Sequence, residues 1–278
     1  MSNFQTEAQN FICWNKHRVK PSTSRCEMSI ISRILDFGDF AEKDIACIKP
    51  LDVENYQNKR TGMGIAASTI NGEVAIMSKV FIYAIKREAC KVNPCDAVSK
   101  LKVKKPERRF LTADEIDRLC EFSTTQSFKQ YLRFLQYTGA REKEAIRVRW
   151  TDVDFKNRRV CIGADGESKN GKSRWVDFSE SLRVLLEQMG CRCSMGLLFG
   201  DETSFRTHLN FARSRSNLNW VGFHDFRRHF VSQCVMAGID FATIARWAGH
   251  SDGGALLAKK YAFLANDHAA KQAAKLKF

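Results

Sequence analysis

Between Lys100 and Arg109 the chain reads KLKVKKPERR, ten residues of which six are cationic and one is Pro106. Like charges repel at this density and proline lacks a backbone donor, so neither helix nor strand suits the stretch. It predicts an extended linker over 100–109. A break at this place leaves two segments, and each must build a core of its own. With 44% hydrophobic residues in 278, both have the material to do so.

The net charge of +14 is shared between the two sides. Seventeen Lys and Arg face eleven Asp and Glu up to residue 105, an excess of +6, and the remainder carries +8. Basic charge on two folded units suits a protein that grips a polyanion from two sides. Charge names a class of partner, however, and no chemistry. No run approaches the ~18 apolar residues of a membrane span, and the start MSNFQTEAQNFICWNKHR lacks a cationic leader with an apolar run. The expectation is a cytoplasmic, nucleoid-associated protein with no membrane partner. Ten cysteines sit mostly alone in apolar patterns, and Cys191-x-Cys193 has no matching pair at zinc spacing, so neither metal nor disulfide is expected.

Residues 1–23 read as an N-terminal extension and 24–99 as a helical domain. Ile30, Ile31, Ile34, Leu35 and Phe37 recur near a 3.6-residue period, followed by a turn at Gly38-Asp39. A short helix is expected over 51–56. A long one follows through Arg87, capped by Ser68 or Thr69. Beyond the linker, residues 110–265 form a second domain. Thr112 and Glu115 make a capping box, and a helix over 128–138 stops at Gly139. Strands are expected over 158–162 and 173–178, joined through Asn170-Gly171, a two-residue hairpin signal. Helices return over 179–190, 203–216, 224–237 and 240–248. Residues 266–278 carry apolar stripes and form a tail helix. The fold class is mainly α with one small antiparallel β-sheet (α+β). His208 has no partner pattern and is expected to be exposed.

Six polar residues stand where turns or helix ends present them: Arg141, Lys169, His224, Arg227, His250 and Tyr261. Together they suit attack on a phosphodiester. Guanidinium forks bind non-bridging oxygens and stabilise the charge of a pentacoordinate transition state. Histidine donates to the same oxygens or shuttles a proton, and a lysine on a tight hairpin can protonate a leaving oxygen. Tyrosine, with a free pKa near ~10, needs such a cationic pocket to act as a nucleophile.

The order and local contexts of these residues resemble the tyrosine recombinase (phage integrase) family. Thr138-Gly-Ala-Arg141-Glu-Lys-Glu144 is similar to its first arginine box, which implies a phosphate contact for Arg141 and a supporting role for Glu144. Ser168-Lys169-Asn-Gly-Lys172-Ser-Arg174 resembles its lysine hairpin; Lys169 takes the general-acid role, with Lys172 as rival. His224-Asp-Phe-Arg227 resembles the second box, and Ala248-Gly-His250 the next histidine motif. Tyr261, 11 residues after His250, stands where the nucleophile is expected. His229 falls where many relatives have a small hydroxyl residue and reads as packing.

The resemblance implies an enzyme working as a two-domain C-shaped DNA clamp. It would cleave and rejoin strands at double-stranded DNA attachment sites through a 3′-phosphotyrosine, with no cofactor. A homo-tetramer tied by the C-terminal tail is implied, with an accessory DNA-bending or excision factor as a further partner. A phage or genomic island is the element expected to be served. Candidate DNA contacts are Lys100, Lys102, Lys104, Lys105, Arg108 and Arg109 in the linker, and Lys172 and Arg174 in the hairpin. The competing readings are a catalytically silent DNA-binding protein of a decayed mobile element and a type IB topoisomerase-like or telomere-resolving enzyme.

Overall fold

The computed structural model describes residues 2–103, 109–166, 171–190, 195–250 and 253–261. The chain divides into two compact units, Met1–Glu107 and Arg108–Phe278.

The first unit contains α1 (Phe4–Asn15), α2 (Pro21–Phe37), α3 (Pro50–Gly62) and α4 (Ala67–Lys86), with 3-10 turns at Ile45–Cys47 and Pro94–Ala97. Residues 1–23 are therefore not a separate extension. Phe4, Ala8 and Phe11 follow a helical spacing, and all three are buried in the core of the unit. Asn3 caps this helix by accepting from the Thr6 amide. The α3 helix is longer than the short helix expected over 51–56. The α4 helix starts one residue before Ser68, after Ala66, and has no side-chain cap.

The core also contains charge. Glu73 is 1% exposed, yet it accepts hydrogen bonds from Tyr56 Oη (2.9 Å), Arg60 Nε (3.1 Å) and Arg60 Nη2 (2.9 Å). A carboxylate with its lone pairs filled in this way can be tolerated inside an apolar core. The end of the unit is fastened too. Asn71 donates to the Leu101 carbonyl and accepts from the Leu101 amide, both at 2.9 Å. Gln57 donates to the Ser99 carbonyl at 3.2 Å. Leu101, expected inside an extended tether, is thus bound to α4. Lys100 and Lys102 beside it are exposed, and residues 104–108 lie outside the described residues.

The second unit opens with α5 (Ala113–Glu121) and the capping box expected from sequence: Glu115 N donates to Thr112 Oγ1 (3.2 Å) and Thr112 N to Glu115 Oε2 (3.0 Å). The next helix, α6 (Gln126–Thr138), buries Phe128, Tyr131, Leu132, Phe134 and Leu135. A helix apolar on so much of its circumference belongs in the middle of a core. Here α6 packs against both α8 (Glu180–Met189) and α10 (Phe223–Met236). His208 is half-buried rather than exposed: its ring stacks beside Phe128 and Phe205 at 5.4 and 5.6 Å, and it bonds the Thr124 hydroxyl.

A three-stranded antiparallel sheet, β1 (Val153–Asp154), β2 (Arg159–Ile162) and β3 (Arg174–Asp177), lies in sequence order. Val160 pairs with Val176 and Ile162 with Arg174. Val160, Ile162 and Val176 face the core, while Trp175 stands exposed. Strand β1 is two residues long, too short to leave an alternation in the sequence. The remaining helices are the single turn α7 (Glu142–Ala145), α9 (Arg206–Arg215), α11 (Phe241–Ala248) and α12 (Ala255–Tyr261). No helix among the described residues is long and apolar enough to cross a membrane.

Candidate active site

The site begins where α6 stops. Gly139 takes a left-handed conformation (φ +61°), and a Cβ there would sit 2.4 Å from Phe230 Cδ1, so only glycine fits this turn. Two residues later Arg141 caps α7. Its amide donates to Glu144 Oε2 (3.3 Å) and its Nη1 to Glu144 Oε1 (2.7 Å). One carboxylate therefore caps the helix turn and orients the guanidinium that precedes it. Burial would raise the Glu144 pKa, but Arg174 and Arg141 outweigh it and hold the carboxyl below its ordinary value. Glu144 is ionised at neutral pH.

Arg227 approaches the same turn from α10. It is 4% exposed, and its Nη1 donates to the Gly139 carbonyl at 3.0 Å. Its Nη2 is buried with no hydrogen-bond partner among the described residues. Burial, followed by the charges of Arg141 and Arg174, pulls its pKa down to about 9, while Glu144 and Tyr261 act the other way. Arg227 stays protonated at neutral pH, as a cation with a spare donor among like charges. An anion would satisfy both needs.

His224, on the first turn of α10, is exposed. Partial desolvation, then Arg228, Arg227 and Arg141, lower its pKa against the pull of Asp225, which leaves it neutral at pH 7. His229, further along the helix, is buried with Nδ1 2.6 Å from the Leu111 carbonyl. It ties α10 to the entry of α5.

The α11 helix ends at Gly249, again left-handed (φ +66°), and the His250 amide donates to the Ala245 carbonyl at 2.8 Å. His250 is half-buried. Tyr261 closes α12 at 9% exposure, in a cluster with Phe230, Ile244 and Leu257. Its ring lies 6.0 Å from that of Phe110, tilted by 52°. The effect of Tyr261 on the Arg227 pKa puts the phenol within electrostatic reach of that guanidinium.

Of the six expected catalytic residues, then, Arg141, His224, Arg227 and Tyr261 are linked through one electrostatic environment. His250 adjoins it through Gly249, against which Arg174 packs. Lys169 lies outside the described residues, as do Lys104, Lys105 and Arg108. Lys172 is exposed. Arg109 is held by Glu115 (2.7 Å) and lies over the Trp220 ring (4.3 Å).

Arg174, expected among the DNA contacts of the hairpin, is turned inward. Its side chain is 7% exposed, with Nη2 on Glu144 Oε2 at 2.8 Å and Nε on the Trp247 carbonyl at 2.6 Å. Alternation along the strand carried the signal: Arg174 and Val176 share the inward face, whereas Trp175 and Asp177 point out.

The second unit matches the sequence model of the phage integrase family over residues 109–267. The chain is similar to a shufflon-specific DNA recombinase of Escherichia coli, 28% identical over 230 residues, which cover 79% of this chain and 59% of that protein's length. Its fold is similar to the Tn1549 transposon integrase in complex with circular intermediate DNA, at a TM-score of 0.76 and 17% identity over 98% of this chain and 99% of that one. It is also similar to a lambda integrase tetramer bound to a Holliday junction, at a TM-score of 0.76 and 17% identity over 92% and 79%.

Proposed function

The chain belongs to the phage integrase family, and on that premise we propose that it is a site-specific DNA recombinase acting through a 3′-phosphotyrosine at Tyr261. The Arg227 guanidinium supports this reading most directly: it is buried beside Arg141, with a donor that has no partner among the described residues. Two arginines so arranged bind the non-bridging oxygens of a phosphodiester and gain strength as charge builds on them.

Tyr261 Oη attacks the scissile phosphorus and the bond to the 5′ oxygen breaks. The phenol's proton passes to a base, for which His224, neutral at pH 7, is suited. The leaving oxygen takes a proton from the hairpin lysine, Lys169, with Lys172 as the rival. A 5′-hydroxyl of the partner duplex then attacks the phosphotyrosine, the proton transfers run in reverse, and the phenol is released. Each step exchanges one phosphate ester for another, so the chemistry requires no nucleotide or metal.

The partners in this reading are double-stranded attachment sites and three further copies of the chain, as in the lambda integrase tetramer. The tail over 266–278, expected to tie the copies together, lies outside the described residues. A mobile element is the proposed client, since similar proteins include a transposon integrase.

A supercoiled plasmid with two copies of the attachment site tests the reading. Recombinant circles are the expected product. Relaxed topoisomers with no recombinants would contradict it and point to a topoisomerase.

A further inference from the structure

Three stretches far apart in sequence meet on one buried guanidinium. Arg174 opens β3, two residues beyond Lys172 of the lysine hairpin. Its Nη2 reaches Glu144, the carboxylate that holds Arg141. Its Nε reaches the carbonyl of Trp247, three residues before His250. The last turn of α11 fits against it closely: a Cβ on Gly249 would come within 3.0 Å of Arg174 Cδ. Trp247 adds a second tie to the same strand through Nε1 and Asp177 Oδ2 at 2.9 Å.

We propose that Arg174 is a positioning residue of the strand-transfer reaction, fixing Arg141 through Glu144 and the His250 turn through the Trp247 carbonyl. The proposal rests on reading the Arg141–Arg227 site as the scissile-phosphate site. Packing alone does not call for arginine here. Burying a guanidinium is unfavourable unless its donors are used, and an apolar side chain would fill the space. The two acceptors of the fork belong to two different motifs, so one rigid group sets their spacing. Lysine keeps the charge but lacks the planar fork that serves both.

Charge gives the arrangement a signature. The ionisable groups that bear on Glu144 are Arg141 on its own turn, Arg174 on β3 and Arg227 on α10. In Arg174→Met the carboxylate loses its largest charge support and titrates higher, towards the ordinary glutamate value of about 4.3. Arg141 depends on the ionised carboxylate, so its hold loosens as pH falls through the Glu144 pKa. His224, the proposed base, also titrates on the acid side, so the carboxyl titration itself carries the signature.

The test compares single-turnover cleavage of a nicked attachment-site substrate at neutral pH for wild type, Arg174→Met and Arg174→Lys, beside a 13C titration of the Glu144 carboxyl. Arg174→Met should cleave on the order of 100-fold more slowly, the loss expected of a catalytic group misplaced by about 1 Å, with site affinity retained. Its Glu144 titration should move up. Arg174→Lys should return the titration towards the wild-type position while recovering only part of the rate. An Arg174→Met variant that cleaves at the wild-type rate, or an unmoved Glu144 titration, would overturn the proposal and leave Arg174 a packing residue. Tyr261→Phe, run alongside, reads the parent assignment separately. An adduct in that variant would sink the nucleophile, while the carboxyl titration would still decide the role of Arg174.

Discussion

A buried guanidinium with one donor unpartnered among the described residues is the feature on which the site turns. Arg227 is anchored by the Gly139 carbonyl and flanked by like charge from Arg141 and Arg174. An anion arriving there would satisfy that donor and relieve the repulsion together. The opposite logic governs His229 on the same helix. Burial lowers its pKa, with the Leu111 carbonyl opposing, so the folded chain holds it neutral. The unfolded chain takes up its proton near pH 6.5. Stability from this residue is complete above that pH and is lost as pH falls from there through the depressed folded value. His229→Gln can still donate to Leu111 but does not titrate. Its urea midpoint should fall less than that of wild type between pH 7.5 and 5.5, and equal falls would remove His229 as the cause.

At the scale of elements, glycine turns set the geometry. Gly139 lets α6 reverse beneath Phe230 and delivers Arg141. Its replacement by alanine meets both a left-handed backbone and a Cβ 2.4 Å from a ring carbon. Gly139→Ala should destabilise the second unit by about 1–3 kcal/mol or more. Gly166→Ala makes a fair control, since it shares the positive φ and meets nothing within 4 Å. Equal thermal shifts in the two variants would assign the loss to backbone strain alone and leave the Phe230 contact without weight.

The legibility of elements followed their chemistry. The Thr112–Glu115 box and the stop at Gly139 were readable because local hydrogen bonds and a local φ decide them. Helix α1 escaped although Phe4, Ala8 and Phe11 carried its period, because so short a segment declares itself only by the core it joins. The single turn α7 held no period to read. The inward turn of Arg174 was not legible for a related reason: its partner Glu144 lies thirty residues away.

On the scale of the molecule, the two units contribute different things. The first carries a +6 excess up to residue 105 and buries its own carboxylates, Glu73 and Glu27, against internal donors. Others of its cations are paired nearer the surface, Lys43 with Asp52 and Lys59 with Asp39. The second holds every residue assigned to the chemistry, together with the match to the family. Its motifs were legible as a set because six positions had to agree in order and context, though any one of them alone reads as surface or packing. Tyr261, packed beside Phe110 at 9% exposure, is the residue on which the account depends. The most direct measurement incubates wild type and Tyr261→Phe with a nicked suicide substrate carrying the attachment site, then separates the products on a denaturing gel. A covalent protein–DNA band in wild type alone is the predicted result. A band of equal strength in Tyr261→Phe, or binding without any band in wild type, would contradict it.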